Sequence, residues 1–399
     1  AQGPRYRSAA VRLADAMGYF HCLCARTLRT ADSSADVSSG NAKRCRHLLG
    51  YRCVCHRDRS HHAGSGRYRS TGIRKIARAG TRALRSLWCG RHHARVRYRD
   101  WMDGIIRMSD YQTIDAVCNI WTPEALSHRP GWTDEFFVGK VKGKHDSAGI
   151  TLEAMIEGMD EAGIDIAFLV AAKAGRVGLP GCYHMPLEVV SRAVEQYPDR
   201  FRGMLGLDPY MGMDGVRQLE TAVKEFGFVG AHLYPHWFEL PPNNAKYYPF
   251  YAKCIELGIP VQMQVGQSLI YAKEHPCRSV GRPIYLDDIA CDLPELKLLG
   301  THVGIPWHDE MIAMAWKHDN VFIVTDAHSP KYWPDSVKHF INSYGQNKVI
   351  FGTDFPVLRF KRTVDEVDAF ELKPEVRRKF MRDNAIQVYG LEDLSSAHH

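Results

Sequence analysis

"TLEAMIEGMDEAGIDIAFLVAA", residues 151–172, joins a helical period directly to a continuous apolar run. Leu152, Met155, Ile156 and Met159 recur at i, i+3, i+4 and i+7, so its first half predicts a helix with one apolar face. Gly163 ends that helix. "DIAFLVAA" follows as a short continuous apolar run, the pattern of a parallel strand covered on both sides. Upstream, "TIDAVCNI" at 113–120 supplies a first strand, separated from the helix by a polar loop. The cycle then repeats. Predicted strands "RGMLGLD", "FVGAHLY", "IPVQMQV", "LKLLGTH", "NVFIVT" and "KVIFGTD" alternate with predicted helices at 186–197, 214–226, 246–257, 285–292, 309–318 and 334–344. A closing helix near 374–389 ends at Gly390. Eight strand–helix units in this length match a (β/α)₈ TIM barrel in the α/β class. An open doubly wound sheet is the alternative, but its first turn calls for a Gly-rich phosphate loop, and the sequence has none there.

The rest of the chain has a different character. The formal charge of the 399 residues is +7. Residues 1–107 hold 21 Arg and 2 Lys against 6 Asp and no Glu, a balance of +17, and residues 108–399 carry −10. The first segment has no helical or strand period and holds six of the eleven cysteines. Three readings compete for it. A basic arm would bind nucleic acid or a membrane surface. Cys22, Cys24, Cys45, Cys53 and Cys55 with His56 and His61 offer zinc ligands, although C-x-C is tighter than the usual knuckle spacing. The third reading fits the composition best: a GC-rich leader translated out of frame, with Met108 as an ordinary cytosolic start. A transit peptide shares the Arg-rich, acid-poor bias but is usually shorter. The expected organisation is therefore a leader at 1–107, a barrel at 108–394 and a tail at 395–399 that reads as a tag remnant. No membrane span is expected, because no window of 18 apolar residues occurs; with the basic leader set aside no nucleic-acid partner is expected, and the start at Met108 points to a cytoplasmic location.

In such barrels the active site lies at the C-terminal ends of the strands, where polar residues concentrate here. Asn119 and Trp121 follow the first strand, and Lys173 and Arg176 the second. Asp208 ends the third, His232 and His236 the fourth, Gln264 the fifth and His302 the sixth. Asp326 and His328 follow the seventh, and Asp354 ends the eighth. Buried polar groups cost free energy unless paired, so this convergence points to a site.

"GTDFPV" at 352–357, "LGTHVG" at 299–304, "MDEAGID" at 159–165, "ELGIPVQMQVG" at 256–266 and "DNAIQVYGL" at 383–391 stand in an order and spacing that resemble the amidohydrolase-2 branch of the amidohydrolase superfamily. That branch includes aminocarboxymuconate-semialdehyde and resorcylate-type decarboxylases. The resemblance covers 112–392. It implies a TIM barrel, a small carboxylate substrate, and a divalent metal held by a pair on the first strand, a His on the fifth and an Asp on the eighth, with a His on the sixth assisting. His302 and Asp354 match that pattern. The first-strand pair falls on Val117 and Asn119, and the fifth-strand His falls on Gln264. Asn and Gln offer only neutral oxygens, poor partners for Zn²⁺. Cys118 is one residue out of place and should face away. The expectation is thus no cofactor, with one divalent ion (Zn or Mn) on Asn119, Gln264, His302 and Asp354 as the alternative.

The resemblance favours a non-oxidative decarboxylase of a small aromatic or unsaturated acid. Asp354 would be the acid, with His302 and His232 beside it. Asn119, Trp121, Lys173, Arg176, His236, Gln264 and His328 would bind substrate, with Arg359, Trp237 and Trp307 as further candidates. The altered ligand positions favour a metal-independent lactone or ester hydrolase, in which Asp354 activates water. A third reading is an inactive barrel kept as a binding protein. A homodimer or higher homo-oligomer is expected.

Overall fold

The computed structural model describes residues 111–141, 147–179 and 181–391. The leader at 1–107 with its cysteine and histidine groups, the boundary at Met108 and the tail at 395–399 lie outside the described residues. Eight parallel strands run in chain order: β1 Ile114–Cys118, β2 Ile166–Ala171, β3 Phe201–Gly206, β4 Gly230–Leu233, β5 Val261–Gln264, β6 Leu298–Thr301, β7 Val321–Val324 and β8 Val349–Ile350. The ladder runs β1 to β8 without a crossover. Ala116 N donates to Phe351 O at 3.0 Å and Asp354 N to Val117 O at 2.8 Å, so the chain beyond β8 returns to β1 and closes the barrel.

Every strand residue is buried except Arg202 on β3, which is half-buried; this explains the unbroken apolar runs. The helices follow as α1 Leu152–Ala162, α2 Leu187–Gln196, α3 Met213–Lys224, α4 Tyr248–Leu257, α5 Tyr285–Asp292, α6 His308–Lys317, α7 Asp335–Asn342 and α8 Phe360–Asp368. α1 shows the local logic. Thr151 caps it by accepting from Ala154 N, Met155 and Met159 bury its inner face, and Gly163 stops it in the left-handed conformation at φ 75°. The expected closing helix spans Pro374–Tyr389 with a π segment in its middle.

Two elements were not expected. α8 buries Phe360, Thr363, Val364 and Val367 against α1, and its period is plain in "FKRTVDEVD". The loop after β1 also contains helical turns at Pro123–Ser127 and Trp132–Lys140. These carry aromatic residues over the barrel mouth. Among the described residues, no helix is long and apolar enough to cross a membrane.

Candidate active site

A cavity of about 900 Å³, including its opening, lies at the C-terminal end of the barrel. Its floor holds Val117, Asn119, His232, Gln264, His302, His328 and Asp354. Strand alternation decides which neighbours reach it. Val117 and Asn119 line the cavity while Cys118 between them is buried elsewhere, as expected for a strand. Ala172 and Ala174 line it too, so Lys173 turns away, and its ammonium bonds Gln218 Oε1 and lies near Met211 Sδ.

The other sequence-derived candidates divide in the same way. Arg176 lies in a separate groove, stacked 4.4 Å over Tyr210. His236 is buried behind the wall, with Nε2 bonded to Gly266 O at 2.9 Å. Trp121 lies beneath the site, and Arg359 lines an outer groove with it. Trp307 packs on Arg282, whereas Trp237 does line the cavity. Asp208 is spent on Tyr210 N at 2.8 Å. The structure thus gathers Asn119, His232, Gln264, His302, His328 and Asp354, and leaves Trp121, Lys173, Arg176 and His236 outside the cavity.

The strand ends are bent to deliver these groups. His302, Val303, Ala327 and Asp354 all adopt left-handed backbone, with φ of 60°, 56°, 62° and 54°. Such conformations cost non-glycine residues free energy and cluster at functional sites. Asp115, fully buried on β1, accepts from Thr353 N at 2.9 Å and from the Thr353 hydroxyl, which anchors the residue just before Asp354.

Asp354 Oδ1 accepts from Asn119 Nδ2 at 2.8 Å, and Asn119 Oδ1 accepts from Arg129 Nη2 at 3.2 Å. On the other side, His302 Nε2 lies 3.4 Å from Asp326 Oδ2 and 4.0 Å from Asp354 Oδ2. His302 N also donates to Asp326 Oδ1 at 2.6 Å. Gln264 Nε2 is 3.1 Å from His302 Nδ1. Burial lifts the Asp354 carboxyl from 3.8 to about 7; the Asn119 bond and the Arg129 charge pull it back, and Asp115 pushes it further up. Burial and then the charge of Asp354 raise Asp326 well above the ordinary range. Burial, then the neighbouring imidazoles, hold His302 well below its ordinary value. Burial also lowers His232 and His328 to about 4. Near neutral pH the imidazoles are therefore uncharged. Asp354 and Asp326, two neighbouring carboxyls, therefore titrate together, with an uncharged His302 between them.

Sequence reading placed Asp326 at a strand end without giving it a role, and it passed over Arg129, Tyr183 and Tyr234. Arg129 stacks on Trp121 at 4.6 Å and Tyr183 at 4.9 Å. Its Nε is buried without a hydrogen-bond partner, and no described carboxylate makes a salt bridge with it. It reaches the cavity through a loop that shows no period. Trp132, Phe136, Phe137, Tyr234, Trp237 and Ile270 complete an apolar wall.

The residues also fit a divalent ion. Ligand atoms of His302, Asp326 and Asp354 lie within 4.8 Å of one another. Asp326 Oδ2 and Gln264 Oε1 are buried without hydrogen-bond partners among the described residues. One imidazole, two carboxylates and an amide oxygen suit Mn²⁺ better than Zn²⁺. Asn119, by contrast, is already committed to Arg129, Asp354 and Phe355 O.

Comparison with known proteins identifies the family. Residues 146–391 match the amidohydrolase-2 family profile, described as amidohydrolase. A 2-keto-4-carboxy-3-hexenedioate hydratase of a Sphingobium species is 30% identical over 142 residues, which is 30% of this chain and 40% of the hydratase. The gamma-resorcylate decarboxylase of Rhodococcus jostii is 22% identical over 264 residues, 51% of this chain and 75% of that enzyme. The 5-carboxyvanillate decarboxylase of Novosphingobium aromaticivorans, crystallised with manganese and 4-hydroxy-3-methoxy-5-nitrobenzoic acid, superposes with a TM-score of 0.54 at 17% identity. That match covers 71% of this chain and 97% of the other, and it establishes the shared barrel. The fold neighbour shares the barrel, and the profile match over residues 146–391 shows that the chain belongs to the amidohydrolase family.

Proposed function

We propose that this chain is a lyase that removes CO₂ from a small aromatic or unsaturated carboxylic acid. One observation carries the reading. A carboxyl that burial lifts to about 7, Asp354, shares an aromatic-walled cavity with Arg129, a guanidinium that makes no salt bridge among the described residues. An anionic planar ligand fits that combination. Arg129 would hold its carboxylate through charge-assisted hydrogen bonds, and the wall of Trp132, Phe137, Tyr234 and Trp237 would pack on its ring.

Asp354 then transfers its proton to the ring carbon bearing the carboxylate. The bond from that carbon to the carboxylate breaks, its electron pair restores the ring, and CO₂ departs. Asp354, left as a carboxylate, regains a proton from water. The charge that Asp354 then carries raises the neighbouring Asp326 carboxyl, so Asp326 stays protonated beside it. His302, uncharged and between the two carboxyls, positions both. A divalent ion on His302, Asp326 and Asp354 is the alternative; it would supply charge to fix a ligand oxygen and would hold Asp354 ionised, so the proton would then come from water. The decarboxylase crystallised with manganese supports keeping that alternative.

A second reading has support from the Sphingobium relative, a hydratase. Here a carboxylate of the Asp354–Asp326 pair would take a proton from water as its oxygen adds to one carbon of a conjugated double bond, and the protonated partner would deliver a proton to the other carbon. Incubation with a panel of hydroxybenzoates and unsaturated dicarboxylates separates the two. CO₂ release supports decarboxylation, and loss of conjugated absorbance without CO₂ supports hydration. Acid release from lactones alone would favour the hydrolase.

A further inference from the structure

β5 reads "VQMQ", two glutamines inside a fully buried strand. Gln264 reaches the cavity; Gln262, two residues earlier and 0% exposed, sits one layer deeper in the barrel. A buried amide there costs free energy unless all its groups are paired, and in this case they are. Gln262 Nε2 donates to Ala116 O at 2.7 Å and also to the Tyr389 hydroxyl. Its Oε1 lies 2.7 Å from His232 Nδ1.

We propose that Gln262 is a positioning residue that locks His232 in the Nδ1–H tautomer and so presents an unprotonated Nε2 to the cavity. The orientation of the amide decides this. Ala116 O is a carbonyl and can only accept, so the nitrogen of Gln262 must face it. The oxygen therefore faces His232, and an amide oxygen also only accepts. Nδ1 must then be the donor. A neutral imidazole carries one N–H, so Nε2 keeps its lone pair. His232 lines the cavity, and among the described residues Nε2 has no hydrogen-bond partner. Tyr234 packs on the ring at 4.5 Å and restrains its rotation.

The consequence is a fixed acceptor on the wall formed by β4. Asp354, when protonated, can donate; His232 Nε2 can only accept. A ligand hydroxyl or an attacking water is what such an atom would hold, so the pair divides proton donation and acceptance between two walls. The network also gives Tyr389, in the closing helix, a route to the site through the barrel interior. This inference rests on the reading of the cavity as the active site, but its test needs no turnover, so it can fail while the lyase assignment stands, and the reverse.

The test is ¹⁵N NMR of protein labelled selectively at histidine, at neutral pH, with His232→Gln used to assign the ring signals. The expected spectrum shows a protonated, pyrrole-type Nδ1 and a bare, pyridine-type Nε2 for His232. In Gln262→Met, which keeps the volume but removes the acceptor, the two shifts should move toward each other as both tautomers become populated. A wild-type spectrum with protonated Nε2 overturns the proposal, as does a folded Gln262→Met with the wild-type pattern. If Gln262→Met fails to fold, the wild-type spectrum alone decides the tautomer.

Discussion

Replacing Asp354 with Asn should separate activity from stability. Asp354 Oδ1 accepts from Asn119 Nδ2 at 2.8 Å, and Asn keeps that oxygen and the side-chain shape. What it lacks is the transferable proton. Loss of a general acid usually costs about 10²–10⁴ in rate, so turnover should fall at least ~100-fold. Stability should move the other way. Burial lifts the carboxyl from 3.8 to about 7, so between those values the folded state holds a proton that the unfolded chain has released. The native state then binds more protons than the unfolded one, and stability falls as pH rises through that window. A displacement of that size corresponds to roughly 4 kcal/mol at pH 8. The side chain keeps 19% exposure to the open cavity, which screens the effect. A net gain of roughly 1–2 kcal/mol on substitution is expected, or a few degrees in Tm. Thermal unfolding of chelator-treated protein at pH 5 and pH 8, followed by circular dichroism, reads it. Asp354→Asn should melt higher than wild type at pH 8 and close to it at pH 5. A variant that melts lower at both pH values and retains turnover would make Asp354 a structural residue and refute the reasoning.

Other perturbations test separate parts of the account. Back-titration of chelator-treated protein with Mn²⁺ should show one equivalent bound, and Asp326→Asn should abolish it; unchanged binding in that variant would move the ion elsewhere. Arg129→Gln should weaken binding of carboxylate ligands about 10- to 100-fold, the scale of a lost charge-assisted hydrogen bond, with kcat changed far less. Equal affinity in calorimetry would rule Arg129 out as the carboxylate clamp. Gly266 has φ 88°, and a Cβ there would lie 2.4 Å from Ile305 O. Gly266→Ala should therefore destabilise by more than about 2 kcal/mol, read from the urea midpoint; a neutral result would show that the turn after β5 can relax.

The fold was legible because burial on both faces leaves its mark on every strand. Runs such as "DIAFLVAA" and "NVFIVT" have few alternatives in a chain of regular helix–strand spacing. α8 was legible as well and was passed over, since its apolar positions follow one face. The site was legible where a side chain sits on a strand whose phase is known: Asn119, His232, Gln264, His302 and Asp354 reach the cavity for that reason. Lys173 violates no composition rule but has the wrong phase, one residue between Ala172 and Ala174. Arg129 and Tyr183 arrive on loops, where neither period nor phase predicts direction. Asp326 carried a signal in "IVTDAH", yet its importance depends on its distance to His302, which no spacing in the sequence encodes.

The most direct test is CO₂ evolution from hydroxybenzoates and unsaturated carboxylic acids, measured with wild-type protein, chelator-treated and manganese-loaded in turn, and with Asp354→Asn. At least one such acid should lose one CO₂ per molecule with the wild type, and the variant should release it at least ~100-fold more slowly. Absence of CO₂ across the panel, with lactones or esters hydrolysed instead at a rate that Asp354→Asn leaves intact, would contradict the lyase assignment.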